Sequence, residues 1–340
     1  MTKAIRIHTT GGPEVLSWEE VNVGEPGPGQ VRIEHQAIGL NFIDVYQRTG
    51  LYPVGDLPQT LGMEAAGVVE AVGAGVSAFV QGDRVAYAMD LGAYSQHRLI
   101  DAAHLAKLPA AIDSRTAAAM MLQGMTARYL LKASYPVQPG DNILLMAAAG
   151  GVGLILSQWA KHLGATVIGC VSTAEKAKLA RDNGCDYTIN YEEENVASRV
   201  REITNGEGVA ASYDSIGKAT LEASLDSLRP TGTLVSFGSA SGPITDLNLG
   251  LLAQKGSLYI QRPALGTYIR NRGLLEASAR DLFDIVASGK VNIRIGQSYP
   301  LAETAHAHQD LEARKTTGST ILLPTTDSSS WKDQIAANGI

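Results

Sequence analysis

Four residues near the middle of the chain, Gly150-Gly151-Val152-Gly153, follow a short apolar block, Asn142–Met146, and lead into a segment of helical periodicity. Val152, Ile155, Leu156, Trp159, Ala160 and Leu163 recur on one helix face, and Gly164 supplies a C-terminal stop. Glycine serves where a backbone turns sharply and must approach an anion with no Cβ in the way. The N–H groups at the helix start, with the positive end of the helix dipole, then hold that anion. A strand, a glycine turn and a helix form the first turn of a dinucleotide-binding βαβ unit. The spelling departs from G-x-G-x-x-G, so a glycine-eased joint that holds no ligand fits the same residues. Asp141 and Lys161 bracket 19 uncharged residues, near the ~20 of a bilayer span. The glycine turn divides that run into a strand and an amphipathic helix, which excludes a span.

The next apolar segment, Ala165–Thr173, ends about 20 residues beyond the glycines, where an NAD-binding protein places an acid on the ribose 2′-hydroxyl. Here the end reads Cys170-Val171-Ser172-Thr173, with Lys176 in the helix-like stretch that follows. A neutral, hydroxyl-bearing end beside a lysine suits a 2′-phosphate, so NADPH is expected over NADH. Lys176 alone also reads as a solvated helix lysine. Further strand-like segments at 186–191, 209–217, 232–238 and 256–260 alternate with helical ones, which predicts a parallel sheet covered on both faces. Ligands of such sheets sit at strand carboxyl ends. Tyr191, Ile216, Gly238 and Ser239 lie there as cofactor-contact candidates, or only as turn residues.

Around this centre the texture changes. Residues 1–110 give short strand-like pieces broken by Gly and Pro, the pattern of a compact antiparallel, barrel-like domain. Residues 261–324 are mixed, with a helix-like Leu274–Gly289 and a strand-like Ser319–Pro324, and 325–340 form a polar tail. The expected architecture is α/β: a doubly wound Rossmann sheet inserted between two parts of a second domain, with a cleft between them. With 340 residues, 45% hydrophobic and 18% charged, the chain can bury two cores. A net charge of −6 and no Lys/Arg cluster argue against nucleic acid. Cys170 and Cys185 are too few for a disulfide framework, the N-terminus lacks the apolar run of a signal peptide, and a cytoplasmic location is expected.

Six segments in order, GGPEVL, AIGLNFIDVYQRTGLYP, LGMEAAGVVEAVG, GDRVAY, AAAGGVGLI and VSFGSASG, resemble the NADPH:quinone oxidoreductases. These are the zeta-crystallin-like, zinc-free branch of the medium-chain dehydrogenase/reductase superfamily, and the likeness is especially close to its bacterial members. It runs from residue 1 to about Pro324. The resemblance implies a GroES-like catalytic domain at 1–118 and 265–324, a Rossmann NADPH domain at 119–264, and a homodimer paired through the Rossmann sheet edge. It also implies cofactor contacts from Asn41, Phe42, Ile43, Asp44 and Tyr46 in an NFIDVY loop, from Tyr129, and from Gly151 and Val152 beside Gly150 in the glycine turn. Ser172, Thr173, Lys176 and Tyr191 would hold the adenosine phosphate end. Ile216, Gly238, Ser239, Ala240, Ser241, Gly242, Pro263, Ala264 and Leu265 would line the nicotinamide half, with Arg314 as a further contact.

The resemblance also bears on metal. Where the superfamily's alcohol dehydrogenases carry a zinc-ligating Cys and His, this chain has Asn41 and Met63. Neither its two cysteines nor its seven histidines show a zinc spacing, and His306 and His308 read as a solvated pair. Without a Lewis acid, alcohol oxidation is disfavoured. A zinc-free NADPH site can reduce an electron-poor acceptor, because the cofactor carries the difficult step. Around the nicotinamide we expect Asn41, Asp44, Tyr46, Tyr52 and Arg262, with Tyr52 donating to a quinone oxygen and Arg262 stabilising developing charge. The two tyrosines equally suit packing roles. The reading is quinone reduction by hydride or stepwise electron transfer. Enone or enal reduction is the alternative, and a dinucleotide-gated structural or RNA-binding role, known in the family, comes after both.

Overall fold

The computed structural model describes residues 2–324; the tail read at 325–340 lies outside them. In chain order the strands are β1 (Thr2–Ile7), β2 (Ser17–Val21), β3 (Gln30–Leu40), β4 (Gln59–Thr60), β5 (Glu64–Val72), β6 (Arg84–Ala88), β7 (His97–Asp101) and β8 (Ala106–Lys107). There follow β9 (Asn142–Leu145), β10 (Thr166–Val171), β11 (Tyr187–Asn190), β12 (Val209–Asp214), β13 (Leu228–Ser236), β14 (Tyr259–Gln261), β15 (Ile295–Pro300) and β16 (Ser319–Leu323). Two compact units result: one runs to Leu122 and resumes at Ile295, and the other is Gln123–Arg294.

The first unit is mainly antiparallel. Its larger sheet has the order β15-β16-β3-β5-β6-β8, with β7 also on β3, and only β15 and β16 pair in parallel. Along β3 the side chains of Val31, Ile33 and His35 are buried in alternation, as a half-buried strand requires. Beyond a register shift at His35/Ala37 every residue to Leu40 is buried, so the strand delivers Asn41 into the interior. The core packs Ile5, Ile33, Ile38, Leu61, Tyr87, Tyr94 and Leu322 together.

The second unit is a six-stranded sheet of order β11-β10-β9-β12-β13-β14, parallel throughout. Counted from β9 this is the 3-2-1-4-5-6 order of dinucleotide-binding folds, and the winding reverses between β9 and β12. Strand β10 is buried from Val167 to Val171, the pattern of a strand covered on both faces. The helix Gly151–His162 buries Ile155, Leu156, Trp159 and Ala160 and turns away at Gly164, whose φ of +89° only glycine adopts at little cost.

Two expectations need correction. The NFIDVY segment is not a loop: Phe42–Arg48 is helical, with Asn41 as its extended N-cap residue and Asp44 at its third position. The second boundary falls at 294/295, not 264/265, and the first at 122/123, not 118/119. The helix Arg272–Ala287 belongs to the sheet-bearing unit. Its Asp281 pairs with Arg128 Nε at 2.7 Å and Lys132 Nζ at 2.8 Å, and its Leu282 packs where Gly124 leaves room. The Gln158 side chain brackets Asn292 at both N–H and carbonyl, tying down the end of this stretch.

Candidate active site

In the sheet-bearing unit the candidate residues collect at the strand carboxyl ends. Gly150 is the extended N-cap of the helix Gly151–His162, which opens directly after β9. The third glycine, Gly153, serves packing instead. A Cβ there would sit 2.5 Å from the Ala147 carbonyl oxygen and 2.7 Å from that of Ala148, so its absence lets the helix close on the turn. Gly150 meets only the Ala147 carbonyl, at 3.2 Å, so its bareness is not needed for packing. The end of β10 carries no acid. Thr173 caps the next helix, its hydroxyl accepting from Lys176 N–H at 3.2 Å, and Lys176 is half-buried. Tyr191 is brought beside this end by its N–H bond to the Val171 carbonyl, at 3.1 Å.

On the other side of the reversal, two loops are joined by their backbones. Phe237 N–H donates to Asp214 O at 2.8 Å and Ser241 N–H to Ile216 O at 2.8 Å, while Lys218 N–H reaches Gly242 O at 3.2 Å. Ile216 and 238–242 therefore form one platform. Asp214, which the sequence reading missed, organises it. Its buried carboxylate accepts from Ile216 N–H (2.7 Å), Gly217 N–H (3.0 Å), Thr220 Oγ1 (2.7 Å) and Ser224 Oγ (2.7 Å). Arg262 lies against the platform, donating to Ser236 O at 3.0 Å and Ser239 Oγ at 3.4 Å. Pro263, Ala264 and Leu265 follow it into a short helix, Leu265–Tyr268. Tyr129 is buried and stacked on Tyr268, another residue the reading missed, with centroids 4.3 Å apart and planes 2° from parallel.

The remaining candidates belong to the first unit. Phe42, Tyr46 and Tyr52 form an aromatic row, with centroids 6.1 Å and 5.2 Å apart in turn. Ile43 lies on the same helix, while Arg314 is exposed just beyond the helix Thr304–Glu312, at φ +58°. Asp44 is fully buried. Its Oδ2 accepts from Asn41 N–H at 2.9 Å and from Tyr94 OH at 2.8 Å. The line continues inward: Tyr94 OH meets His308 Nε2 at 3.1 Å, and Arg48 Nη1 donates to His308 Nδ1 at 3.0 Å. That arrangement requires neutral His308 with its proton on Nε2; burial accordingly pushes it down to about 3. His306 and His308 are thus not a solvated pair. His306 is exposed beside Asp310, whereas His308 is wholly buried, because one turn of helix places positions two apart on different faces. Burial pushes Asp44 up to about 7 against the pull of its two donors.

The positions expected to replace zinc ligands hold Asn41 and a buried Met63, whose sulfur accepts from Gln47 Nε2 at 3.2 Å. Among the described residues, no group of three or more His, Cys, Asp or Glu side chains could hold a metal ion. Both cysteines are free and buried in the sheet-bearing unit.

Comparison with known proteins decides the family. The Alcohol dehydrogenase GroES-like domain family matches residues 27–110, and the Zinc-binding dehydrogenase family matches 151–280. A quinone oxidoreductase of Pseudomonas aeruginosa is 54% identical over 325 residues, covering 95% of this chain and 100% of that protein. The chain belongs to the quinone oxidoreductases. The crystal structure of the Escherichia coli quinone oxidoreductase complexed with NADPH superposes with a TM-score of 0.93 at 49% identity, covering 95% of this chain and all of that one. A 2-haloacrylate reductase of a Burkholderia species is 50% identical, with 95% and 99% covered. The GroES-like and Rossmann architecture of the quinone oxidoreductases is therefore the architecture of this chain.

Proposed function

We propose that the chain catalyses NADPH-dependent reduction of quinones without a metal ion. The observation that carries the proposal is the winding reversal between β9 and β12, with a bare glycine N-cap beside it and a neutral Ser172-Thr173 strand end next to it. The group fits these residues. Gly150, Gly151 and Val152 would hold the pyrophosphate at the helix N-terminus, where N–H groups have no partner within the helix. Ser172, Thr173, Lys176 and Tyr191 would hold the 2′-phosphate and adenosine, since hydroxyls and an ammonium favour the extra charge that an acid would repel. Ile216, Gly238–Gly242 and Pro263–Leu265 would line the nicotinamide half, with Tyr129, and Asn41, Phe42, Ile43, Asp44, Tyr46 and Arg314 would complete the contacts.

When bound, NADPH supplies the electrons and hydrogen that an electron-poor acceptor takes up. The protein orients and excludes water. Tyr46 and Tyr52 offer phenol groups to an acceptor oxygen, and Arg262, held by Ser236 and Ser239, offers a fixed positive charge where negative charge develops. No side chain is needed as an obligatory acid, because a reduced quinone takes its proton from water. Asn41 and Met63 support the zinc-free reading, since neither offers the thiolate or imidazole that holds zinc.

The enzyme is further proposed to be a cytoplasmic homodimer. The edge strand β14 exposes Tyr259 at 63%, and Leu249 nearby in sequence is 71% exposed, so the open sheet edge is suited to a second copy. No helix among the described residues is long and apolar enough to cross a membrane.

A second reading has a specific support: the 2-haloacrylate reductase relative acts, by its name, on an activated alkene. Initial rates with NADPH and 1,4-benzoquinone, a naphthoquinone, a conjugated enone and 2-chloroacrylate separate the two. Quinones turned over fastest support the proposal. Turnover of the alkenes alone would leave the fold and cofactor reading and overturn the quinone assignment.

A further inference from the structure

One buried acid in the first unit is unused by this reading. Glu64, the first residue of β5, has no exposed surface. Its Oε2 accepts from the Asn41 side-chain Nδ2 at 2.7 Å, and its Oε1 accepts from the Leu122 backbone N–H at 2.7 Å. Asn41 is thus held at its side-chain nitrogen by Glu64, at its backbone N–H by the Asp44 carboxylate, and at its side chain by the Asp44 backbone N–H of the capping box. The chain makes room for this grip. A Cβ on Gly39, two residues before Asn41 in the sequence, would stand 2.7 Å from the Glu64 carboxyl carbon and press on the Ala118 carbonyl.

We propose that Glu64 is a positioning residue for the reduction, whose carboxylate fixes the hand of the Asn41 side-chain amide. The inference rests on the reading of Asn41 as a nicotinamide-side residue. An amide has a donor end and an acceptor end, while a carboxylate only accepts, so ionised Glu64 holds the amide nitrogen toward itself and turns the oxygen toward the Asp44 N–H at the helix start. A protonated Glu64 carries an O–H and can donate to that oxygen, which favours the opposite hand. Glu64 therefore couples its proton to which end of Asn41 the ligand meets. Burial, reinforced by the neighbouring Asp44 charge, pushes Glu64 up to about 8, against the pull of Asn41 and the Leu122 N–H. The titratable groups that act on Glu64 from surrounding elements are Asp44 on the helix Phe42–Arg48, Tyr87 on β6 and Tyr94 beyond it. Both phenols are pushed up by burial and stay neutral, which leaves Asp44 as the charge Glu64 feels most.

The test is the full-length protein and its Glu64→Gln variant, followed across about pH 6 to 9 by two readouts. One is the NMR cross-peak of the Asn41 side-chain amide, assigned by its disappearance in Asn41→Asp. The other is the pH profile of kcat for NADPH and 1,4-benzoquinone. The amide peak of the wild-type protein is expected to shift with an inflection near 8, matched by an inflection in kcat. In Glu64→Gln the inflections near 8 vanish, NADPH affinity stays within about twofold, and kcat falls roughly 10- to 100-fold at pH 9, where the wild-type carboxylate is ionised, but little at pH 6, where the wild-type acid carries its proton. An Asn41 peak that does not titrate in the wild-type protein overturns the inference, whether or not the variant folds. So does a variant that keeps the inflection near 8 or the full kcat at pH 9. A wild-type protein that binds NADPH but reduces no quinone would overturn the functional reading instead, and the amide titration would still judge the Glu64–Asn41 coupling.

Discussion

Replacing Gly153 with alanine sets two effects against each other, and the structure says which wins. Gly153 lies inside the helix Gly151–His162, so alanine gains about 1 kcal/mol of helix propensity. The added Cβ would lie 2.5 Å from Ala147 O and 2.7 Å from Ala148 O, where ordinary contact begins at 3.4 Å, so one side must retreat by about 0.9 Å. Neither neighbour is a side chain that can rotate away. The Ala147 carbonyl already accepts Gly150 N–H at 3.0 Å, and Ala147 itself is held at φ +55°. Overpacking of this kind costs about 1–3 kcal/mol, and breaking the turn's hydrogen bond adds about 1. The clash outweighs the propensity, leaving Gly153→Ala about 1–3 kcal/mol less stable. Gly150→Ala is the contrast. Its φ of −79° and ψ of 175° suit alanine, and the new Cβ meets only one atom, at 3.2 Å. Its stability cost is about 0.5 kcal/mol as a poorer N-cap, while NADPH binding should weaken about tenfold or more, near 1.4 kcal/mol. Urea unfolding midpoints and NADPH titration of both variants make the comparison. A Gly153→Ala protein at least as stable as the wild type, or a Gly150→Ala protein with unchanged NADPH affinity, would refute this division of labour.

Stability should fall as pH rises above neutrality. Asp44 and Glu64 are raised from 3.8 and 4.5 to about 7 and about 8, so their contribution is complete at low pH and is lost as pH climbs through those folded values. His35 and His308 are pushed down to about 3 from 6.5 and add no slope above that ordinary value. Between about pH 7 and 8 the wild type loses ~1 kcal/mol, and Glu64→Gln flattens this slope in urea melts, whereas an unchanged slope counts against the assignment. Arg48→Leu removes a buried guanidinium bonded to Gly11 O (3.1 Å), His308 Nδ1 (3.0 Å) and Glu312 (2.8 and 2.9 Å). Glu312 is 35% exposed and can rehydrate, so the loss should be near ~3 kcal/mol rather than more, read from the unfolding midpoint; a loss under ~1 kcal/mol would contradict it. Lys176→Ala should reduce the NADPH-over-NADH ratio of kcat/KM about tenfold and leave NADH rates unchanged, as expected for one charged contact to the 2′-phosphate.

What the sequence made legible was local. The glycine turn, the apolar face through Trp159 and the stop at Gly164 each follow from a few adjacent residues, and the parallel alternation follows from repeating them. The helix Phe42–Arg48 escaped because seven residues give too short a period, although Asn41 with Asp44 three places on is an N-terminal capping pattern. The helix Arg272–Ala287 was recognisable as a helix but not as part of the sheet-bearing unit, because Asp281 finds Arg128 more than 150 positions away. Glu64, Tyr94, His308 and Asp214 look like ordinary polar residues in the sequence. Their importance lies in burial, and for the first three in partners far along the chain. His308 in particular reads as solvated until the fold sets it between Arg48 and Tyr94. Asp214 was within reach, since an acid closing a strand directly before Ser-Ile-Gly is placed to take that turn's N–H groups.

The most direct test of the central claim is chelator-treated protein with 1,4-benzoquinone, comparing kcat/KM for NADPH and for NADH. The account predicts fast, chelator-insensitive turnover with NADPH and at least tenfold weaker use of NADH, about 1.4 kcal/mol of discrimination. Activity lost on chelation and restored by zinc, or NADH used as well as NADPH, would contradict it.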